Sequence, residues 1–307
     1  MREITLEELL EAGCHFGHQV IRSNPKARDF VFEAREGIQI IDLAKTKEGL
    51  DAASEFVKEF GKKGSSLLVV STKKQAKQTV EDAVKKTKKE IEASKKIDSQ
   101  DLFYVTDRWI GGTLTNFSEV SKNLKKLEDL KKLLKSDEES AKYTKKELGQ
   151  FDKERQRLEA LYGGISGMKE EPQALFIVDS HLEELAVKEA RNRGIETVAI
   201  VDTNADPLLI DWPIPANDDA VGSVSLIVEH ILDAFLEGVK AQKIEKPSSA
   251  EASEGKEKKK TQDLSSKAAK EEPKKAENLK LKTKSSTPKI ATTAKSSKIT
   301  KTKKEKK

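Results

Sequence analysis

Short, uniformly apolar runs alternate with longer stretches in which apolar residues recur every third or fourth position. Leu67–Val70, Leu102–Val105, Ala174–Val178 and Val198–Val201 lack polar alternation, the pattern of strands buried on both faces. Helical periodicity follows them: Ala76, Val80, Ala83 and Val84 behind the first run, with Thr72 as the expected cap, and about His181 to Arg193 behind the third, stopped at Gly194. A last helix is expected from about Ser223 to Leu236. Nearer the start, Thr5-Leu6-Glu7-Glu8 is a capping box opening a short helix that Gly13 stops. Cys14–Gln19 reads as a loop and Asn24-Pro25 as a turn. Phe30–Phe32 and Ile38–Ile41 read as two short strands around Gly37, and Asp42 caps a helix with Leu43, Leu50, Ala53, Val57 and Phe60 on its apolar face.

Buried strands each followed by a helix predict an α/β fold: a doubly wound, mainly parallel sheet of the flavodoxin/Rossmann-like kind. One piece interrupts the alternation. Phe117, Val120, Leu124, Leu127, Leu130 and Leu134 fall three and four apart; after a polar stretch, the box Thr144-Lys145-Lys146-Glu147 opens a second helix carrying Leu148, Phe151, Leu158 and Leu161. Two narrow seams joined by a polar turn predict an antiparallel coiled-coil hairpin inserted at 117–164. The globular domain is then 1–116 with 165–240, and 241–307 is a tail. The joint is Val105–Asn116, where a strand passes through Trp109 and Gly111-Gly112 into the hairpin. Sites of α/β proteins collect at such strand ends; the competing reading, which composition favours, is that Gly111-Gly112 makes a plain tight turn and Trp109 fills core.

Charge divides the chain unevenly. Residues 246–307 hold 20 Lys and 8 acidic residues, whereas the remainder holds 38 basic and 45 acidic ones. The tail has no aromatic residue and too little apolar surface to offset its ordering entropy, so it is expected to be disordered, either touching polyanions or only aiding solubility. No apolar run is long enough for a membrane span, and the N-terminus lacks the apolar core of a signal peptide. Cys14 is the single cysteine, which excludes an internal disulfide framework and fits a reducing cytoplasm.

Polar clusters at the strand ends, Ser71–Lys74, Asp107-Arg108, Asp179–His181 and Asp202–Asn204, admit an α/β sugar-phosphate or nucleotide-binding enzyme using Asp107, Asp179 and Asp202. Glycine-rich dinucleotide and phosphate-binding loops, a nucleophile elbow and zinc-ligand spacings are all missing. His18, Asp179 and Asp202 are a possible Mg²⁺ or Zn²⁺ set; the competing reading has His15 and His18 hydrogen-bonding backbone in a buried loop.

Four motifs carry a family resemblance: His15-Phe16-Gly17-His18-Gln19, Arg108–Asn116, Ile200–Pro207 and Ile214–Ala220. In this order, over about residues 1–240, they resemble the ribosomal protein S2 family. The resemblance implies a non-enzymatic small-subunit protein of the cytoplasmic ribosome that needs no cofactor and forms no stable homo-oligomer. It would bind rRNA between head and body on the solvent side, join late in assembly and help anchor ribosomal protein S1. His15, Gly17, His18, Trp109, Gly111, Gly112, Asn116, Asp202, Asn204, Asp206 and Pro207 would be its structural motif residues. Ile110, Thr113, Ala205 and Ala216 are departures within the motifs, and the Lys-rich tail is a larger one.

Residues 170–245 contain 16 acidic and 5 basic residues, so this region is expected to face away from RNA. RNA contact then falls to local positive charges: Arg22, Lys26, Lys73, Lys74, Arg108, Lys122 and Lys125.

Overall fold

The computed structural model describes residues 2–93 and 102–245; the expectations for the tail beyond them lie outside the described residues. Helix α1 (Leu6–Glu11) leads into β1 (Phe16–Gln19), two 3₁₀ turns (Val20–Arg22 and Pro25–Phe30), then β2 (Val31–Arg35) and β3 (Ile38–Ile41). Next come α2 (Leu43–Lys62), β4 (Leu67–Val70), α3 (Lys74–Ala93) and β5 (Leu102–Val105). The chain continues through α4 (Phe117–Lys135), α5 (Asp137–Ser140), α6 (Lys145–Tyr162), β6 (Ala174–Ile177), α7 (Glu184–Arg193), β7 (Glu196–Val201), β8 (Trp212–Pro215) and α8 (Val221–Glu245).

The main sheet has the order β5-β4-β6-β7-β8, every pair parallel. Alternate strand residues serve two cores, as the two-residue period of a strand requires. Leu67, Val69, Phe176 and Ile200 pack with α2, α3 and α8 on one face; Leu68, Val70, Leu175 and Ile177 face α7 and the start of the hairpin on the other. The fold is the expected doubly wound α/β arrangement.

The hairpin does more than project from the sheet. Val120, Leu124 and Leu127 of α4 belong to the second core, and Leu158 and Leu161 of α6 pack against it, so the base of the hairpin covers that face. Farther out, Leu130 is buried, Leu134, Leu148 and Phe151 are half-buried, and Lys131 bridges the helices to Glu159 at 2.8 Å. Both capping boxes form as read: Thr5 with Glu8, and Thr144 with Glu147.

Several elements differ from the sequence reading. Phe16–Gln19 is a strand, pairing antiparallel with β3 in a small sheet of order β1-β3-β2. Its Phe-Gly-His-Gln sequence shows no apolar alternation to betray it. Trp212–Pro215 is an unforeseen edge strand; its prolines are tolerated because only one side of it is paired. Thr72 does not cap α3. Its N–H donates to Glu183 instead, and the Lys73 carbonyl accepts from Ala76 and Lys77 to start the helix. Helix α7 begins at Glu184, α8 extends to Glu245, and the polar stretch of the hairpin holds α5.

Candidate functional site

The carboxyl ends of the parallel strands converge on a charged cluster. Lys73 follows β4, and its ammonium lies 2.9 Å from Asp179 Oδ2 behind β6, 2.6 Å from Asp218 Oδ1 and 2.8 Å from Asp219 Oδ1 behind β8; it also donates to the Asp218 carbonyl at 3.0 Å. His18 reaches in from β1, with Nδ1 3.2 Å from Asp202 Oδ1 and Nε2 3.5 Å from Asp219 Oδ2. Thr203 joins the two sheets: its hydroxyl accepts the His18 N–H at 2.9 Å while its own N–H donates to Asp202 Oδ1 at 2.5 Å. Gly17 lies against the Thr203 side chain, leaving no space for a Cβ.

The electrostatics follow from burial. Asp179, Asp202 and Asp218 are buried, and only Asp219 is exposed. Burial opposes charge on Lys73, yet the Asp218, Asp219 and Asp179 carboxylates hold its ammonium above the ordinary lysine range. Asp218 is pushed up to about 7, first by burial and then by the neighbouring charges of Asp179 and Asp202, with Lys73 pulling the other way. The hydrogen bond from His18 to Asp202 raises the imidazole, against its own desolvation. Lys73 holds Asp219 below its usual range. Asp218 Oδ2, Ser71 Oγ, Ser180 Oγ and Asn204 Oδ1 are buried along this edge without a protein hydrogen-bond partner.

The arrangement redistributes the expected site residues. Of the suggested metal set, His18 and Asp202 touch, but Asp179 turns to Lys73. Among the described residues, the ligand atoms that lie within 4.8 Å of one another belong to His18, Asp218 and Asp219. Asp107 stands apart, paired at 2.8 Å with Lys77, and His181 is exposed, with its backbone N–H donating to Asp179. His15 lies against Phe16 with the rings tilted and their centroids 4.0 Å apart; burial lowers its pKa, and its Nδ1 has no partner. The proposed backbone bonding of both histidine side chains is therefore not what the structure shows: His18 bonds carboxylates. Asp206 caps the turn at Pro207, accepting from Leu208 N, and also holds Lys26.

The cationic candidates separate into two groups. Lys73 is removed from the RNA-contact set because three carboxylates enclose its ammonium, and Lys26 and Lys122 are paired with Asp206 and Glu119. Arg22, Lys74, Arg108 and Lys125 are exposed and make no ion pair among the described residues. A third surface is apolar. Phe32 is 70% exposed and Ile21 95%, with Phe16, Val20 and Ile38 also exposed on and beside the small sheet. Single exposed apolar residues are ordinary; five within the short stretch from Phe16 to Ile38 are a concentration of them around the small sheet.

At the joint, Trp109 is buried, Gly112 has φ +91°, and the turn is bonded throughout to Glu189 of α7. Sequence reasoning missed Glu189, Glu183 and the Lys73 partners Asp218 and Asp219. A glutamate within a helix reads as solvated surface. Asp218 and Asp219 lie within the Ile214–Ala220 motif, but nothing in spacing links them to Lys73.

The family model described as "Ribosomal protein S2" matches residues 9–238. The chain is 44% identical over 254 residues to a protein of Geotalea uraniireducens (strain Rf4) named "Small ribosomal subunit protein uS2", an alignment covering 83% of this chain and 94% of that protein.

Proposed function

This chain belongs to the ribosomal protein S2 family, and from that premise we propose how it is held in the small ribosomal subunit: by phosphate contacts from Arg22, Lys74, Arg108 and Lys125. The chain is a structural, non-enzymatic constituent of that subunit, a component of the cytoplasmic ribosome with rRNA and other ribosomal proteins as its partners. Among the described residues no helix is long and apolar enough to cross a membrane. The observation that carries the docking reading is the separation of cations: Lys73 is enclosed by carboxylates and Lys26 and Lys122 are paired with acids at the surface, while these four are left unneutralised there. Phosphate contacts of this kind hold a protein to folded RNA by shape and without base readout.

Shape-dependent contact requires the rRNA walls to be folded first, which supports late joining between head and body, with the acidic 170–245 region turned toward solvent. The exposed apolar residues on and beside the small sheet, Phe16, Ile21 and Phe32, are the groups we assign to contact with ribosomal protein S1. No cofactor is required. A divalent ion would take His18, Asp218 and Asp219, since imidazole with carboxylates suits Zn²⁺ and the unpartnered Asp218 Oδ2 supplies a free donor; it would compete with Lys73 for the carboxylates.

The docking reading is tested by binding to subunits stripped of this protein. Arg108→Ala weakens binding and reduces the slope of log affinity against log salt by roughly one phosphate contact, with the melting temperature unchanged. An unchanged slope for all four single alanine variants rejects the assignment.

A further inference from the structure

We infer that Glu189 is the positioning residue that aims the hairpin, by holding the Trp109–Thr115 turn from the far side of the second core. The consequence for docking rests on the reading above, in which Lys125 of the hairpin meets the rRNA. Glu189 is 5% exposed. Its Oε1 accepts the Gly112 N–H at 2.7 Å and the Trp109 Nε1–H at 3.3 Å; its Oε2 accepts from Leu114 N at 3.0 Å, Thr115 N at 3.3 Å and Thr115 Oγ1 at 3.3 Å. No cation pairs with it among the described residues. A buried carboxylate without a cation is tolerated only when donors surround it, and here one turn supplies them all. Those donors keep the group ionised: burial pushes its pKa up, yet the Gly112, Leu114 and Thr115 amides hold it below the ordinary glutamate range.

The turn leads into α4 with only Asn116 between Thr115 and Phe117, so the turn sets where the helix starts and how it leaves, while Val120, Leu124 and Leu127 seat its first turns on the second core. Asn116 makes no side-chain capping bond to α4. The returning leg is fixed separately, where Gly164 lies against the Tyr104 carbonyl so closely that no Cβ fits. Glu189 therefore ties the outgoing leg to α7, and the angle of the hairpin is set by the half of the sheet that follows it in sequence. A carboxylate is needed because it accepts on both oxygens; a glutamine would turn an NH₂ toward backbone N–H groups.

The test uses the full chain with Cys14→Ser and spin labels at Glu138→Cys on α5 and Glu55→Cys on α2, both exposed positions. With Glu189 intact, the inter-label distance distribution is narrow. Glu189→Gln broadens or shifts it, while hydrogen exchange of β4, β6 and β7 stays protected. An unchanged distribution in the folded variant overturns the inference, and so does a loss of protection spread evenly over the sheet, which makes Glu189 a stability residue only. Should Glu189→Gln not fold, Trp109→Phe removes a single donor and keeps the apolar ring; it is expected to broaden the distribution less, and no change there also overturns the inference. Loading onto stripped subunits separates the two readings. Broadening with reduced loading supports both, whereas broadening with normal loading keeps Glu189 as the positioning residue and rejects the hairpin as a docking arm.

Discussion

Replacing Lys73 by Met removes the lysine cation from a group of acids whose members are mostly buried. Its side chain is 14% exposed, against 7% for Asp179 and 1% for Asp218. The contact with Asp219, which is exposed, contributes under ~1 kcal/mol. The contacts with Asp179 and Asp218 decide the outcome, because deleting one partner of a buried pair leaves an uncompensated charge and costs roughly 3–5 kcal/mol. Protonation of Asp218 limits that loss. Its carboxyl is already pushed up to about 7 with Lys73 present, and losing the ammonium moves it higher still. Each pH unit below the pKa relieves about 1.4 kcal/mol. Lys73→Met is therefore expected to lose about 3–5 kcal/mol at pH 8.5 and about 1–2 kcal/mol less than that at pH 6. Urea unfolding followed by tryptophan fluorescence at both pH values measures this, with Lys73→Arg as the control that keeps the charge. A loss below ~1 kcal/mol at both pH values would refute the reasoning, since surface pairs behave that way.

Other expectations follow from the same geometry. In chelator-containing buffer, stability falls as pH rises from 6 to 8.5: Asp218 and His18 both have raised folded-state pKa values, so each stabilises most below its unfolded pKa and loses that contribution as pH passes the folded one. Thermal melts of the native chain and of Asp218→Asn check this, the variant giving the flatter profile. Gly112→Val forces a β-branched residue to φ +91° and is expected to cost about 1–3 kcal/mol, read by urea unfolding. Elemental analysis after zinc loading tests the ion site: one zinc per chain, lost in Asp219→Asn, establishes it, and none leaves the carboxylates to Lys73 and His18. Combining Ile21→Ser with Phe32→Ser leaves the melting temperature within a few degrees, as exposed side chains allow, but reduces retention of ribosomal protein S1 on subunits.

Much of the fold was legible because its signals are local. The two capping boxes, the Asp42 cap and four uniformly apolar strands are each contained within a few residues. The strands that escaped notice have patterns masked by their context: β1 has Gly17 and His18 where alternation would show, and β8 carries two prolines that only an edge position permits. The site was legible only as a set of strand ends. Lys73 finds its carboxylates more than a hundred residues away in sequence, at Asp179, Asp218 and Asp219, and which of several nearby acids it meets depends on the strand order. Likewise, Glu189 and the turn it holds are separated by the whole hairpin.

The most direct test of the docking account is a high-resolution structure of the small subunit with this chain in place. The account predicts rRNA phosphate oxygens within hydrogen-bond reach of Arg22, Lys74, Arg108 and Lys125, with Lys73 still enclosed by its three carboxylates. Solvent or protein opposite those four side chains, with rRNA lying on the acidic 170–245 region instead, would contradict it.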